Sequence, residues 1–564
     1  MTRRRLVWAS VAFVLGFAFL SGCGDEETKI VTPEAAITVS VSAAPDSLDT
    51  GQTVTVTPHV QSDASGPFTY SWMAEGGTFK NAKDDTTVWT APDEPGIYTL
   101  SVVVTNGDDV GIGGAMVAVA TYMPAVTPFY RGAAYCATCH NGGTGGDQYS
   151  SWSGHAHATA LESLADIGQA ANANCTVCHT VGTYGIAPDT LHTIANGGFD
   201  ETTVHRLAGV QCENCHGPGS EHPQSDFGSV AITMEPGMCG SCHTDEHHPT
   251  YDEWLTSGHS GIITSPATRA SCVKCHNGLF ADEYLDDPEG FTAPGSNPTE
   301  TAAIVCASCH DPHGNDNPGN LRNASVTDRI FPNQILVERG GAGRLCMSCH
   351  NGRRSGEDIE DMIENGSSHF GPHHSVQGDM LAGVNAYQDI APDFPWASSK
   401  HILVEDACVS CHTHPHEGDL GAGIPNFTGH DFEPKVQACE PCHGALADFD
   451  DVRAKQDFDG DGAIEGVQSE VDGLAALLEE TIIDVSVKPG AVEALTADFE
   501  GTIGDTTYTT ADQRKAGYNW AFVAFDHSTG VHNATYAVQV MQQSILFLDP
   551  GALPKRAYIL RRED

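Results

Sequence analysis

The chain has 564 residues, with 27 Lys and Arg against 74 Asp and Glu, for a formal charge of −47. Nearly three acids per base leave no basic face for a phosphate backbone, so a nucleic-acid binder is excluded. The 60 Gly and 30 Pro predict many turns and short elements, the length predicts several domains, and 19 Cys with 28 His demand a covalent or metal-based use.

Residues 1–22 read as a signal peptide: three consecutive arginines, an uncharged apolar run from Leu6 to Leu20 that is short for a membrane span, then Leu20-Ser21-Gly22-Cys23. LSGC resembles the bacterial lipoprotein box, which implies that Cys23 becomes the acylated first residue of the mature chain. Acyl chains hold a soluble domain on a membrane because each buried methylene contributes about 0.8 kcal/mol. Residues 23–34 are then the acylated Cys and a linker.

Residues 35–122 contain no Cys and alternate apolar with polar residues. The runs are Ile37–Val41, Thr53–Thr57, Phe68–Trp72, Thr87–Trp89, Tyr98–Val104 and Met116–Val119, separated by turn clusters such as Gly76-Gly77. The pattern predicts an all-β immunoglobulin-like sandwich, with Trp72 in the core and Tyr98 as the tyrosine corner, serving as spacer or docking module.

Eighteen cysteines then fall into nine CxxCH pentapeptides within residues 130–445. The thiol pairs are Cys136/Cys139, Cys175/Cys178, Cys212/Cys215, Cys239/Cys242, Cys272/Cys275, Cys306/Cys309, Cys346/Cys349, Cys408/Cys411 and Cys439/Cys442. The trailing histidines are His140, His179, His216, His243, His276, His310, His350, His412 and His443. Two thiols at this spacing add to the two vinyl groups of one haem, and the adjacent imidazole reaches the iron from the proximal side. Disulfides need no trailing His, zinc sites need four ligands, and thioredoxin-like pairs do not recur nine times. Covalent haem c, nine times over, is the expectation. The motifs occupy 308 residues, about 34 each, too little polypeptide for a side-chain core, so the porphyrins are expected to supply most of the buried apolar surface within a loop-rich, mainly α domain.

Each iron needs a sixth ligand. Beyond the proximal set and the upstream His59, 18 histidines remain for nine positions, whereas only Met234, Met238, Met347, Met362 and Met380 lie between the first motif and the last. His/His ligation is therefore expected throughout, at low potential.

Several strings resemble the multihaem cytochromes that include the tetrahaem cytochrome c of ammonia oxidisers, hydroxylamine oxidoreductase and pentahaem nitrite reductase. They are WLTSGH at Trp254–His259, GVQCENCHGPGSEH at Gly209–His222, CHDPHG at Cys309–Gly314 and DHSTGVHN at Asp526–Asn533. The resemblance implies distal roles for His222, His259, His313 and His532. Trp152 and His157 repeat the spacing of Trp254 and His259, which favours His157 over His155. The stretch Gly371–Gly383, with Ser399-Lys400-His401 and Gly429-His430, resembles large multihaem lipoproteins of metal-reducing bacteria and nominates His374, His401 and His430. His205 completes the nine, with His192, His247, His248, His373 and His416 as substitutes.

In residues 446–564, Asp457, Asp459, Asp461 and Glu465 occupy positions 1, 3, 5 and 9 of a calcium loop, with Gly462 at the turn; position 12 is Gln468, departing from the EF-hand, and Glu470 is the alternative twelfth ligand. Helices are expected over Val467–Glu480 and Thr510–Leu546, the second broken near Ser528–Gly530, packing on the haem domain.

These readings describe a lipid-anchored electron carrier at the outer membrane, facing the periplasm or the exterior, exchanging electrons with partner cytochromes or extracellular acceptors. The second class is an oxidoreductase acting on a small nitrogen or sulfur compound at one five-coordinate haem. The nitrite reductase branch uses CxxCK at its active site, and none of the nine motifs here ends in Lys, which favours the carrier over the catalyst.

Overall fold

The computed structural model describes residues 37–561 apart from 63–66, 95, 108, 121–128, 144–145, 183–198, 200–204, 223–229, 231, 323–328, 331–335, 353, 355, 368, 423 and 485–508. The signal peptide, Cys23, the linker and His192 lie outside the described residues.

The alternating runs form the expected sandwich. Strands β1 (Ile37–Ala43), β3 (Thr53–Ser62), β6 (Thr87–Thr90) and β5 (Thr78–Phe79) make one sheet, in the order β1-β3-β6-β5. Strands β2 (Ser47–Leu48), β8 (Val110–Val119), β7 (Gly96–Thr105) and β4 (Thr69–Met73) make the other, in the order β2-β8-β7-β4. The two-residue strands β2 and β5 are too short to show a period in the sequence. Inward positions such as Val54, Val56, Leu100, Val102 and Val117 are buried between the sheets with Trp72 and Trp89, as period-two burial requires. Trp72 Nε1 donates to Asp84 O at 2.8 Å. Tyr98 Oη donates to Glu94 O at 2.8 Å, the four-residue reach of a tyrosine corner. Gly111 and Gly113 are required where β8 crosses β1: a Cβ there would lie 2.5 Å from Ile37 O and 2.6 Å from Val39 O.

The sandwich is tied to the first haem motifs by buried charge. Arg131, fully buried, donates to Glu75 at 2.5 Å, and Glu75 also accepts from Thr99 N on β7 at 3.0 Å. Glu213, inside the third motif, accepts from the backbone N–H of Arg131 at 2.8 Å, Gly132 at 2.6 Å and Gly219 at 2.6 Å. Burial pushes its carboxyl up, against those three hydrogen bonds.

From Ala133 onward the chain is a series of short helices joined by loops, several of them carrying a CxxCH motif, such as Ala173–His179, Cys212–His216 and Cys408–His412. Apolar clusters here are small: Leu161, Leu164, Val181, Phe199 and Leu207 form one, and Tyr284, Leu285 and Leu345 another. The C-terminal segment behaves differently. Helices Val467–Asp484, Ala511–Ala524 and Ala534–Leu548 build a conventional core of Leu474, Leu478, Phe522, Val540, Met541 and Ile545. They draw in Ile359, Ile363 and Met380 from between the seventh and eighth motifs. The scarcity of side-chain core expected of the motif region thus does not hold for residues 356–387, because that long inter-motif segment packs against the C-terminal helices. The second of these helices starts at a T-x-x-Q capping box, Thr510 with Gln513, and the third at Asn533, whose side chain accepts from Tyr536 N at 3.1 Å. Among the described residues no helix is long and apolar enough to cross a membrane.

Candidate functional site

The histidines meet in pairs. An iron with two axial imidazoles, each nitrogen about 2 Å from the metal and each ring centre about 1 Å further, separates the ring centres by about 6 Å. Seven proximal histidines face a second histidine at this spacing. Centroid separations are 6.1 Å for His243 with His157, 6.1 Å for His216 with His313 and 6.0 Å for His350 with His259. They are 5.9 Å for His276 with His373, 6.2 Å for His310 with His430, 6.2 Å for His443 with His401 and 6.0 Å for His412 with His532. Facing imidazoles too far apart to touch, with CxxC thiols beside them, fit the axial frame of haem c.

Six of these seven facing histidines are those expected from the sequence. The exception lies at Gly371–Gly383, where the structure brings His373, rather than its neighbour His374, to His276. His374 stacks instead on Phe525, 4.1 Å between ring centres. Adjacent residues on an extended turn point opposite ways, and a sequence string does not say which. His222 lies beside the first motif: Tyr135 Oη donates to His222 O. His205 sits exposed in a single turn, His205–Leu207, its ring 6.3 Å from Phe199.

Local structure sets the ring orientations. Trp152 Nε1 donates to Val210 O at 2.9 Å and Trp254 Nε1 to Ile304 O at 3.0 Å, each anchor lying two residues before a motif. The second nitrogen of several ligand candidates is held by the chain: His179 by Ala160 O at 2.8 Å, His310 by Gly319 O at 2.6 Å, His401 by Val531 O at 2.9 Å and His412 by Phe432 O at 2.7 Å. Such contacts fix the tautomer and leave Nε2 for metal. Burial lowers the pKa of His157, His310, His313, His350, His401, His412 and His430, and takes His243 and His259 to about 4. The neutral imidazole, the ligating form, is thereby favoured. His532 departs from this pattern. Its Nδ1 lies 2.7 Å from the buried Asp526 carboxylate, which raises its pKa against the pull of burial. Asp526 opens the DHSTGVHN string, yet its orienting role was not legible there.

The thiols also approach one another between motifs. Cys136 lies close to Cys212, Cys178 to Cys242, Cys239 to Cys306, Cys275 to Cys349 and Cys346 to Cys408. Cys215 lies within electrostatic reach of Cys239, Cys309 of Cys346, and Cys411 of Cys439. Numbered in sequence order, the motifs are therefore neighbours along the line 1-3-4-6-7-8-9, with motif 2 beside 4 and motif 5 beside 7.

Among the motif thiols Cys215, Cys239 and Cys442 are exposed, and the other fifteen, Cys139 included, are half-buried. Cys139 is half-buried and its Sγ accepts from Thr138 Oγ1 of its own motif at 3.8 Å. Cys442 is exposed, within electrostatic reach of Cys439 and Cys411. Cys442 belongs to motif 9, the end of the line, where a neighbouring motif covers one side only. Cys215 and Cys239 are exposed as well, but they face each other across motifs 3 and 4. Of the remaining two tethers, Cys175 packs against the Leu161 cluster and Cys272 lies 3.6 Å from Ser271 Oγ.

Away from the histidines, Asp457, Asp459 and Glu470 bring ligand oxygens within 4.8 Å of one another, as do Asp459, Asp461 and Glu465. Gln468, at position 12, turns away to donate to Ser528 O at 3.1 Å. Buried Glu470 accepts from Phe458 N at 2.7 Å and Glu465 N at 3.1 Å.

Comparison with known proteins gives concordant matches. Residues 135–217 match the family model described as cytochrome c554 and c-prime, residues 298–355 the doubled CXXCH motif, and residues 36–109 the PKD domain. The chain is 22% identical over 445 residues to the C-type polyheme cytochrome OmcC of Geobacter sulfurreducens, covering 65% of this chain and 57% of that one. It is 26% identical over 180 residues to the multiheme cytochrome MtrA of Shewanella baltica, covering 28% of this chain and 47% of that one. The crystal structure of outer cell wall cytochrome OcwA overlaps 66% of this chain and 76% of its own at 18% identity, with a TM-score of 0.40. The chain spans about half the length of the curated relatives it matches. Its β-sandwich is PKD-like, and the repeated motif, the facing imidazoles and the family matches together make the chain a multihaem c-type cytochrome.

Proposed function

We propose that the protein is an exported, lipid-anchored electron conduit that carries nine covalently bound haem c groups and no bond chemistry of its own. The observation that supports this most is the set of seven proximal histidines each facing a second histidine at 5.9–6.2 Å. An iron saturated at both axial positions exchanges electrons without binding substrate. Haem, when bound, supplies the one-electron couple; the chain's part is to hold both imidazoles, exclude solvent and set neighbouring sites thiol to thiol. The line 1-3-4-6-7-8-9 offers a continuous route between its ends. Acylated Cys23 would place the conduit at the outer membrane, and a charge of −47 favours basic cytochromes or cationic mineral surfaces as partners.

Electron paramagnetic resonance of the oxidised protein tests this reading. Nine low-spin haems are expected; a stoichiometric high-spin haem would transfer the assignment to an oxidoreductase acting on a small nitrogen or sulfur compound.

The acidic loop is proposed to bind calcium through Asp457, Asp459, Asp461 and Glu465, with Glu470 in place of the missing twelfth ligand. Burial, then the charges of Asp461, Glu470 and Asp457, raise the pKa of Asp459; Asp461 chiefly raises that of Glu465. A raised carboxyl contributes stability while protonated and loses it as pH climbs through the raised value. Removing calcium with a chelator at pH 7 is therefore expected to lower the melting temperature of the C-terminal helices, by less as the pH falls toward the ordinary carboxyl range near about 4. A melting temperature indifferent to calcium at pH 7 contradicts the site.

A further inference from the structure

The haem region repeats itself in space. Motifs 1, 2 and 3 correspond to motifs 4, 5 and 6, then motif 7 and motif 8 to the first and third of another unit, and motif 9 to the first of a fourth.

The correspondence holds in local geometry. After motif 1, Tyr149 N donates to His140 O at 3.0 Å; after motif 4, Tyr251 N donates to His243 O at 2.8 Å. Three residues on, Trp152 and Trp254 pack on those tyrosines, with ring centres 5.7 Å apart in both cases. Five residues further stand His157 and His259, whose carbonyls accept from Val210 N at 2.8 Å and Ile304 N at 3.2 Å. Val210 and Ile304 each precede the third motif of their unit by two residues.

Contacts between motifs repeat as well. The third motif meets the first of its own unit through Cys136 with Cys212, Cys239 with Cys306 and Cys346 with Cys408. It meets the first of the next through Cys215 with Cys239, Cys309 with Cys346 and Cys411 with Cys439. The second motif meets the first of the next unit through Cys178 with Cys242 and Cys275 with Cys349.

Facing histidines obey the same rule, because units exchange them. A first motif is faced by a histidine that follows the first motif of the preceding unit: His157 for His243, His259 for His350, His401 for His443. A third motif is faced by one that follows the third motif of the next unit: His313 for His216 and His430 for His310. For the last third motif the C-terminal segment stands in, giving His532 to His412. A second motif draws on the loop after the first motif of the next unit: His373 for His276. Translated back one unit, the loop after motif 4 must serve His179. That loop carries His247 and His248, and it is the His248 imidazole that lies within electrostatic reach of His179.

We infer that the haem region is a tandem repeat whose units exchange axial histidines, and that His248, rather than His205, is the sixth ligand opposite His179. The inference rests on the haem reading above. It also gives the exchange a structural meaning: no unit completes its irons alone, as in repeat proteins whose units are stable only when stacked.

The test uses the full haem-loaded protein, with haem count by intact mass kept separate from spin state. His248→Ala should keep the wild-type haem count and show one stoichiometric high-spin haem that added imidazole returns to low spin. His205→Ala should leave the low-spin signal unchanged. His248→Met should stay six-coordinate and move one midpoint potential upward, since Met/His ligation raises it; this variant decides the matter if His248→Ala fails to mature. A fully low-spin His248→Ala with no potential shift in His248→Met, or a high-spin haem in His205→Ala, overturns the inference. A low haem count in the wild-type protein would instead remove the reading beneath it.

Discussion

Replacing Cys306 and Cys309 with alanine is expected to cut the protein in two electrically. Motif 6 is the only bridge that the thiol contacts of the described residues provide between the first four motifs and motifs 5, 7, 8 and 9. It reaches back through Cys306 to Cys239 and forward through Cys309 to Cys346. Removing both thiols removes the attachment of one haem and opens a gap in a path where each neighbour otherwise abuts the next. In films oriented through the N-terminus, current from electrode to a soluble acceptor should fall by orders of magnitude. The control is Cys175→Ala with Cys178→Ala. Among the thiol contacts of the described residues motif 2 reaches the line through Cys178 and Cys242 and bridges nothing beyond it, so its loss should change the current by no more than a few-fold. Equal losses in the two variants would contradict the branched order.

Loss of Glu213 is expected to be the most damaging single substitution for stability in the N-terminal half. Its carboxylate is buried and holds three backbone N–H groups, which place Arg131 and Gly132 against the third motif and, through Arg131 and Glu75, seat the sandwich. Glu213→Ala leaves those three N–H donors unpaired and removes the negative charge beside the buried Arg206 guanidinium, a change that costs roughly 3–5 kcal/mol when a buried charged partner is removed. At about 2–4 °C per kcal/mol for a unit of this size, the melting temperature should drop by roughly 6–20 °C. The drop should appear in the transition that reports on the sandwich tryptophans and in the occupancy of the first and third motifs. A melting curve superimposable on that of the parent protein would show the carboxylate to be dispensable.

Much of this was legible in the chain because its signals are local. CxxCH carries its own chemistry within five residues, and the strands of the sandwich announce themselves by alternation, so all six expected runs became strands. The C-terminal helices are amphipathic and capped, and the break at Ser528–Gly530 falls between Ala524 and Ala534, where the structure has no helix. What stayed hidden depends on relations across the fold. His373 and His374 are chemically identical neighbours, separable only by which one turns toward His276. Cys139 and Cys442 read like the other motif thiols, and only the spatial order shows that they sit at the open ends of the line. Glu213 is one of two arbitrary residues within a CxxCH motif, and nothing in CENCH says that it grips Arg131 and Gly132. Gln468 at the twelfth loop position broke the EF-hand pattern, and which residue takes its place, Glu470 two positions on, is settled only by what faces the acidic cluster. Of the repeat, the sequence carries the shared Trp-to-His spacing of Trp152–His157 and Trp254–His259, but inter-motif lengths vary and most of its features are contacts, such as the indole bonds to Val210 and Ile304.

The strong acidity has a physical reading in the same frame. A net charge of −47 sets up a field that favours cationic partners, while burial favours the neutral, ligating form of imidazoles such as His157, His243, His259 and His350. His532 is the departure, with Asp526 lending its ring anionic character and so a stronger hold on the metal.

The most direct test is the intact mass of the purified, mature protein under denaturing conditions, which retain thioether-bound haem and shed any other kind. The account predicts a mass above that of the mature polypeptide by nine haem groups, with all eighteen motif cysteines, Cys139 and Cys442 at the ends included, unavailable to alkylating reagents. A smaller number of attached groups, or motif cysteines that alkylate after reduction of disulfides, would contradict it.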